Sequence, residues 1–487
     1  MDKRTASGAR RTGDTLQVGD TLSRRNLAML AVLYASAFLA AFNENAVNTA
    51  LVGIMGDLGV TSGTAQWLVT GYMVVTATMV TLMGWAVRRF GARRLFVFAG
   101  IVFSAGEACA VFAPSFPLLL ASRLVQAVGT GIFIPVMMSS VLVLAPRRRV
   151  GTFLSIGTCM ITFGPAFAPV VSGAMTTAFG WRLVFVPPLV VALVVLGLGL
   201  ACVRDVEERR PSGIDAPSVA LSAGALAMLS FGLSELASSV ALGAGCCVLG
   251  VALGAAFTRR QLALDDPLLD LSLLRSGRFW PACLLTMIAM MMTFSMSVLL
   301  PLFFEGAAGT TAFVAGLMLL APVLVNSVLT LAAGRIMDGR GEWPLLPVGF
   351  AVCAAGQVAV AAVSAQGSVW GVLGASVLTY AGVGLVMSPS QTAGLRTLPG
   401  PKHADGVAIV NTFIQIAACI GPSLFVGILS SVEASSVAGG TSAAAACGAG
   451  FSAAVWVAAG IALVGVAVAF VYARKAKRAR GAKGTQG

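Results

Sequence analysis

Glu44 stands in a long apolar stretch with amides close by in sequence at Asn43, Asn45 and Asn48. A carboxyl group placed in hydrocarbon carries a free-energy cost unless it has partners or a task. The task that suits it is to take a proton from one side of a membrane and release it to the other. Arg123 is the arginine inside another apolar run, followed on the same helical face by Gln126 and Thr130 at i+3 and i+7. At 1.5 Å of helix per residue, Arg123 lies about 9 Å and Glu107 about 10 Å below the same surface as Glu44. An ion pair between Glu44 and Arg123 is geometrically permitted. Glu44 is a proton carrier or a residue at a water-filled mouth, and Glu107 a second proton site or a structural partner of Arg123. Asn45 and Asn48, with Asn48 on the Glu44 face of a continuous helix, contact substrate or gate, or simply hydrogen-bond between helices.

These residues need long apolar helices around them, and the composition supplies them. Of 487 residues, 57% are apolar and 10% charged, which excludes a soluble enzyme and marks a polytopic membrane protein. Fourteen runs are each long enough, at about 18 to 25 residues, to cross the hydrocarbon layer as helix. The first run is too long for a signal-peptide core and has no suitable cleavage site, so no cleavable leader is expected. With the N-terminus inside, thirty of the 32 Lys and Arg fall in inner loops and tails, leaving Arg123 and Arg182. That bias is the positive-inside rule, so the +13 charge reflects topology and not nucleic-acid binding, and both termini are expected in the cytoplasm. Nine cysteines without a CxxC pair and a single histidine, His403, suggest neither disulfides nor a metal site. The Gly-rich segments follow no strand and carry no Lys, so no nucleotide loop is implied, and no nucleophile, base and orienting group can be assembled into an enzyme site.

The expected order is an N-tail over 1–25, a six-helix bundle over 26–205, two inserted helices and a loop over 206–278, a second six-helix bundle over 279–473 and a basic tail over 474–487. Span 1 is read as one helix to Leu51, and the Ser430 to Gly450 stretch of small residues as a flexible outer loop. The two bundles repeat one another. Gly84 to Gly91 after span 2 matches Gly334 to Gly341 after span 10, 250 residues later. Gly129 and Gly131 leading to Pro135 match Gly382 and Gly384 leading to Pro389, and Gly164-Pro165 matches Gly421-Pro422. A slowly drifting offset indicates a parallel duplication about an axis along the membrane normal.

On these residues, with Arg123-x-x-Gln126 and the Asp266-Pro-Leu-Leu-Asp-Leu segment, the chain resembles the fourteen-helix drug/proton antiporter branch of the major facilitator superfamily from about 26 to 472. The resemblance implies an all-α membrane fold of two six-helix bundles plus two inserted helices. It implies a cytoplasmic gate at Gly84, Arg88, Gly91, Arg93 and Asp338, and close helix packing at Gly129, Gly131, Gly164, Pro165, Pro169 and Gly173. It makes Arg123 the residue governing proton release. The family's usual acid in span 1 aligns with Asn43, one residue before Glu44, and the acid usual after span 2 is replaced by Arg88. The gate is therefore expected to lean on Asp338, or on a partner of Arg88 such as Asp205, and an Asp restored at Arg88 is expected to stabilise the outward-facing form. Asn326, Tyr380, Asn411 and Gln415 are candidate cavity residues of the second half, and Met287, Met290, Met291, Met292 and Met296 an adaptable apolar wall or plain packing. The expected activity is export of a hydrophobic or amphiphilic drug or antibiotic in exchange for protons, by a cofactor-free monomer in the cell membrane. A same-fold carrier for a metabolite, peptide or siderophore, and a membrane sensor, are the other classes.

Overall fold

The computed structural model describes residues 23–65, 67–206, 213–235, 239–265, 267–310, 312–364 and 366–484. Asp266 of the loop motif lies outside them. The first half comprises α1 (Arg24–Ala46), α2 (Leu51–Leu58), α3 (Ser62–Ala65), α4 (Trp67–Phe90), α5 (Ala92–Val111), α6 (Phe116–Leu144), α7 (Val150–Phe179) and α8 (Val186–Cys202). The inserted helices are α9 (Ala216–Glu235) and α10 (Val240–Ala263). The second half comprises α11 (Phe279–Leu302), α12 (Ala312–Arg340), α13 (Leu345–Ser364), α14 (Val369–Leu395), α15 (His403–Ala438) and α16 (Ala443–Gly484). Among the described residues fourteen helical spans are long and apolar enough to cross a bilayer, so the chain is a multi-pass membrane protein.

Two details differ from the sequence reading. Span 1 does not run as one α-helix to Leu51: α1 ends at Ala46 and a 3-10 turn covers Asn48–Ala50. The side chain of Asn45 donates to Ala41 O at 3.1 Å, and Thr49 Oγ1 bonds Ser172 Oγ at 2.6 Å. Short polar side chains of this kind compete with the helical ladder. Asn48 therefore does not sit one α-turn above Glu44. The stretch from Ser430 to Gly450 is not a long loop either, because α15 continues to Ala438 and α16 starts at Ala443, leaving 439–442 as the connection. Its alanines are the strongest helix formers, so small size there favours helix over linker.

The halves meet at the end that carries the basic loops. The apolar core of the first half takes in Val407, Ala408, Ile409 and Val410 of α15 together with Leu395 and Leu398. At the opposite end a separate cluster of Phe42, Ala46, Leu68, Trp181 and Phe185 is built from first-half residues. Polar contacts follow the same division. Ser155 Oγ donates to Ser388 Oγ at 2.7 Å across the halves, whereas Trp181 Nε1 to Asp57 at 2.8 Å stays within one half.

Candidate functional site

The polar centre of the first half lies where α1, α4 and α6 converge. Asn43 on α1, Tyr72 on α4 and Arg123, Gln126 and Thr130 on α6 are all buried. Arg123 Nη1 donates to Gln126 Oε1 at 2.7 Å and to Asn43 Oδ1 at 3.3 Å, and Nη2 donates to Asn43 O at 3.3 Å. The Asn43 amide donates in turn to Gln126 Oε1 at 3.1 Å, and Tyr72 OH pairs with Thr130 Oγ1 at 2.5 Å. The guanidinium carbon sits 4.0 Å from the centre of the Tyr72 ring, so the cation is held by a π face as well as by amides.

No carboxylate hydrogen-bonds Arg123 among the described residues. The ion pair with Glu44 that sequence geometry permitted is not formed, because Asn43 occupies the position facing α6. A residue adjacent on a helix is rotated by about 100°. Glu44 is half-buried near the C-terminal end of α1 with no hydrogen-bond partner among the described residues. Glu107 on α5 is fully buried and both its carboxyl oxygens lack a hydrogen-bond partner, as do Arg123 Nε and Gln126 Nε2. Both carboxyl groups are within electrostatic reach of the guanidinium. Unsatisfied buried polar atoms are rare and concentrate where function demands them. Tyr72 was not singled out from sequence, although a phenol in a span otherwise rich in Val, Thr and Met was its available signal.

The second-half candidates are spread out. Asn326 Oδ1 bonds Thr330 Oγ1 at 3.4 Å and packs against Gly384, which places it in the α12–α14 contact. Asn411 donates to Val407 O at 2.9 Å and meets Met138 Sδ at 3.3 Å across the halves. Tyr380 is buried in the second-half core and Gln415 is half-buried on α15. Met291, Met292 and Met296 are buried in that core, with Met287 and Met290 packed on it. An apolar hollow of about 400 Å³ opens between α1 and α7, lined by Ala35, Phe38, Met160, Phe163 and Phe167.

Of the residues expected to form the gate, Gly84, Arg88 and Asp338 fall in two contacts between the halves. On one side Gly84 brings α4 so close to α15 that a Cβ there would stand 2.7 Å from Asp405 Oδ1, and Arg88 forms an ion pair with Asp405. Arg88 Nη2 also donates to Pro267 O at 3.0 Å. Gly91, at a φ of 81°, is the sole residue between α4 and α5, and the Arg93 amide donates to Asp205 at 3.0 Å. On the other side Asp338 of α12 accepts from Gly151 N at 2.8 Å, Thr152 N at 2.7 Å and Thr152 Oγ1 at 2.6 Å, and pairs with Arg396. This carboxylate caps the N-terminus of α7, where the helix dipole favours an anion. Asp405, Arg396 and the Asp270–Lys402 ion pair at 2.8 Å were not singled out from sequence, because span-edge charges were counted for topology and not for pairing.

Of the packing residues, Gly129 lies against Phe103 and Ala99, Gly131 against Met79 and Thr76, and Gly164 against Ala41 and Phe42. Pro165 and Pro169 lie within α7. Gly173, grouped with them by sequence, has open space where a Cβ would stand and mediates no close approach.

Comparison with known proteins agrees with this architecture. Lincomycin resistance protein LmrB of Bacillus subtilis is 32% identical over 415 residues, covering 82% of this chain and 85% of that protein. The methylenomycin A resistance protein of Streptomyces coelicolor is 28% identical over 390 residues, covering 79% and 81%. The solved structure of the proton:xylose symporter XylE bound to 6-bromo-6-deoxy-D-glucose superposes with a TM-score of 0.64 at 16% identity, covering 93% of this chain and 96% of that one, which speaks to fold alone. The family model described as Major Facilitator Superfamily matches residues 33–422. The chain therefore belongs to the major facilitator superfamily and is a membrane transporter, not an enzyme.

Proposed function

We propose that this protein exports a hydrophobic or amphiphilic drug or antibiotic in exchange for protons, by alternating access of two rocking halves. The observation that carries the reading is the arrangement around Arg123. The guanidinium is held by the neutral acceptors of Asn43 and Gln126, and two carboxyl groups, Glu44 and Glu107, lie within its electrostatic reach without being bonded to it. A carboxyl group so placed is available to gain and lose a proton while the cation biases the exchange. Two such groups allow two protons per cycle.

The basic end, taken as cytoplasmic under the positive-inside rule with both termini on that side, is closed by the paired gates. The conformation is then outward-facing. The cargo class follows the relatives, one of which is named for lincomycin resistance, so lincomycin is the first compound to test. The proton gradient supplies the energy, no cofactor is required, and a single chain holds both halves of the pathway.

The test is Glu44→Gln in proteoliposomes. The variant is expected to fold and insert, and to lose lincomycin-dependent proton movement. Full coupled transport by Glu44→Gln overturns the assignment of Glu44. The same measurement on Glu107→Gln, expected to reduce the number of protons per cycle, separates a second proton site from a structural partner of Arg123.

A further inference from the structure

A cavity of about 770 Å³ lies at the basic end between the halves, within the range of about 300–1,000 Å³ usual for small-molecule sites. Arg88, Arg147, Arg396 and His403 supply its polar wall, with Leu142, Val150 and Leu398 among the apolar residues. Among the described residues no Asp or Glu lines it. Arg88 and Arg396 each have a gate carboxylate on one side, yet Arg396 Nε is buried without a hydrogen-bond partner. Arg147 has no hydrogen bond or ion pair among the described residues. Asp405 and Asp338 balance Arg88 and Arg396, so the charge left for an anion is that of Arg147, with the free Arg396 Nε as a further donor on the same wall. Guanidinium forks match phosphate oxygens in pairs.

We propose that this cavity binds a phosphate-bearing anion, either the headgroup of an anionic lipid or a soluble phosphate compound. Both halves contribute to the site: Arg88, Arg147 and Val150 come from the first, Arg396 and His403 from the second. The site is complete when the halves meet at this end, so binding and closure favour each other reciprocally.

The experiment has two arms, each run on the full chain. In neutral detergent, inorganic phosphate is titrated by calorimetry. In phosphatidylcholine nanodiscs with and without phosphatidylglycerol, native mass spectrometry counts the phosphatidylglycerol molecules retained by the protein after extraction. Each arm compares the wild type with Arg147→Ala and Arg148→Ala, exposed neighbours on one loop that remove the same charge, of which Arg147 alone lines the cavity. The expected result is a roughly ten- to hundredfold loss of affinity, or loss of the retained lipid, in Arg147→Ala and near-wild-type behaviour in Arg148→Ala. The arm that responds identifies the source of the phosphate. Absence of binding in both arms, or equal losses in the two variants, overturns the proposal. Unchanged melting temperatures without phosphate guard against a folding effect.

Discussion

The two crossings where the halves meet, α4 on α15 and α12 on α7, come from one duplicated pattern and carry opposite charges. Arg88 and Asp338 occupy the same place in the repeat, 250 residues apart. In the second crossing the acid belongs to the α12 side and receives the N-terminal amides of α7. In the first the acid has moved across, to Asp405 in the opening turn of α15, and the α4 side supplies the cation. Both arrangements put a carboxylate at a helix N-terminus of the partner pair, where the macrodipole favours it. What the geometry conserves is an anion at that spot, not the chain segment that delivers it. The crossings also differ in cover: α9 packs beside α4 and α15, while Pro267 and Leu268 of the loop before α11 press on the same crossing.

The largest effect is expected from Arg88→Asp. Sequence reasoning held that an acid here would stabilise the outward-facing form, but Asp405 now faces that position, so the substitution sets two carboxylates against each other. The Arg88 and Asp405 side chains are 14% and 6% exposed, and breaking such a buried pair costs about 3 kcal/mol. Hydrogen exchange across 403–410 is expected to accelerate accordingly, with the double variant Arg88→Ala/Asp405→Ala much closer to wild type. Arg88→Asp exchanging like wild type would mean that the first crossing does not depend on its ion pair.

Asp338→Ala comes second. It removes three accepted hydrogen bonds and the contact with Arg396, but the bonds are part-buried, so water takes up the freed donors, and no like charge is put in place of the acid; the loss together is about 1.5–3 kcal/mol. The exposed fraction of the Arg396 side chain, 25%, lowers the share of the ion pair. The amides of Gly151 and Thr152 are expected to lose protection, Asp338→Asn to lose less because an amide oxygen still accepts, and α15 to be unaffected. Loss of protection on α15 as well would show that the crossings open as one unit and not separately.

Much of the fold was legible because a bilayer admits few solutions: each span must be apolar and about 20 residues long, and the duplication is written in Gly and Pro at drifting offsets. Arg123, Gln126 and Thr130 were legible for the same reason, since polar groups stand out in apolar surroundings. The failures have a different cause. Whether Asn43 or Glu44 turns toward Arg123 depends on rotation about one helix axis, which a count of residues along the axis does not contain. Asp405, which pairs with Arg88, lies 317 residues away from it, and pairing over such a separation is a property of the assembled halves. The break after Ala46 reflects local competition from Asn45 and Thr49 side chains that apolar periodicity does not register.

The smallest effect should come from the strap that touches only the first crossing. Asp270 caps the short 3-10 turn Leu271–Arg275 and reaches Lys402 at 2.8 Å, just ahead of α15. Burial pushes its carboxyl group up, yet the hydrogen bonds from Lys402 and Ser272 outweigh this and hold it below the usual range. A carboxylate with a lowered folded pKa adds stability that is complete above the unfolded value, about 3.9 for Asp, and is lost as the pH falls through the folded value. The Lys402 side chain is 44% exposed, so the contribution is a few tenths of a kcal/mol. Acidification below that range is therefore expected to speed exchange at 267–275 in the wild type, and Asp270→Asn to remove this pH dependence while leaving Gly151 and Thr152 protected. If acid released α7 and the strap together, the strap would belong to both crossings, and the asymmetry between them would reduce to the sign of their charges.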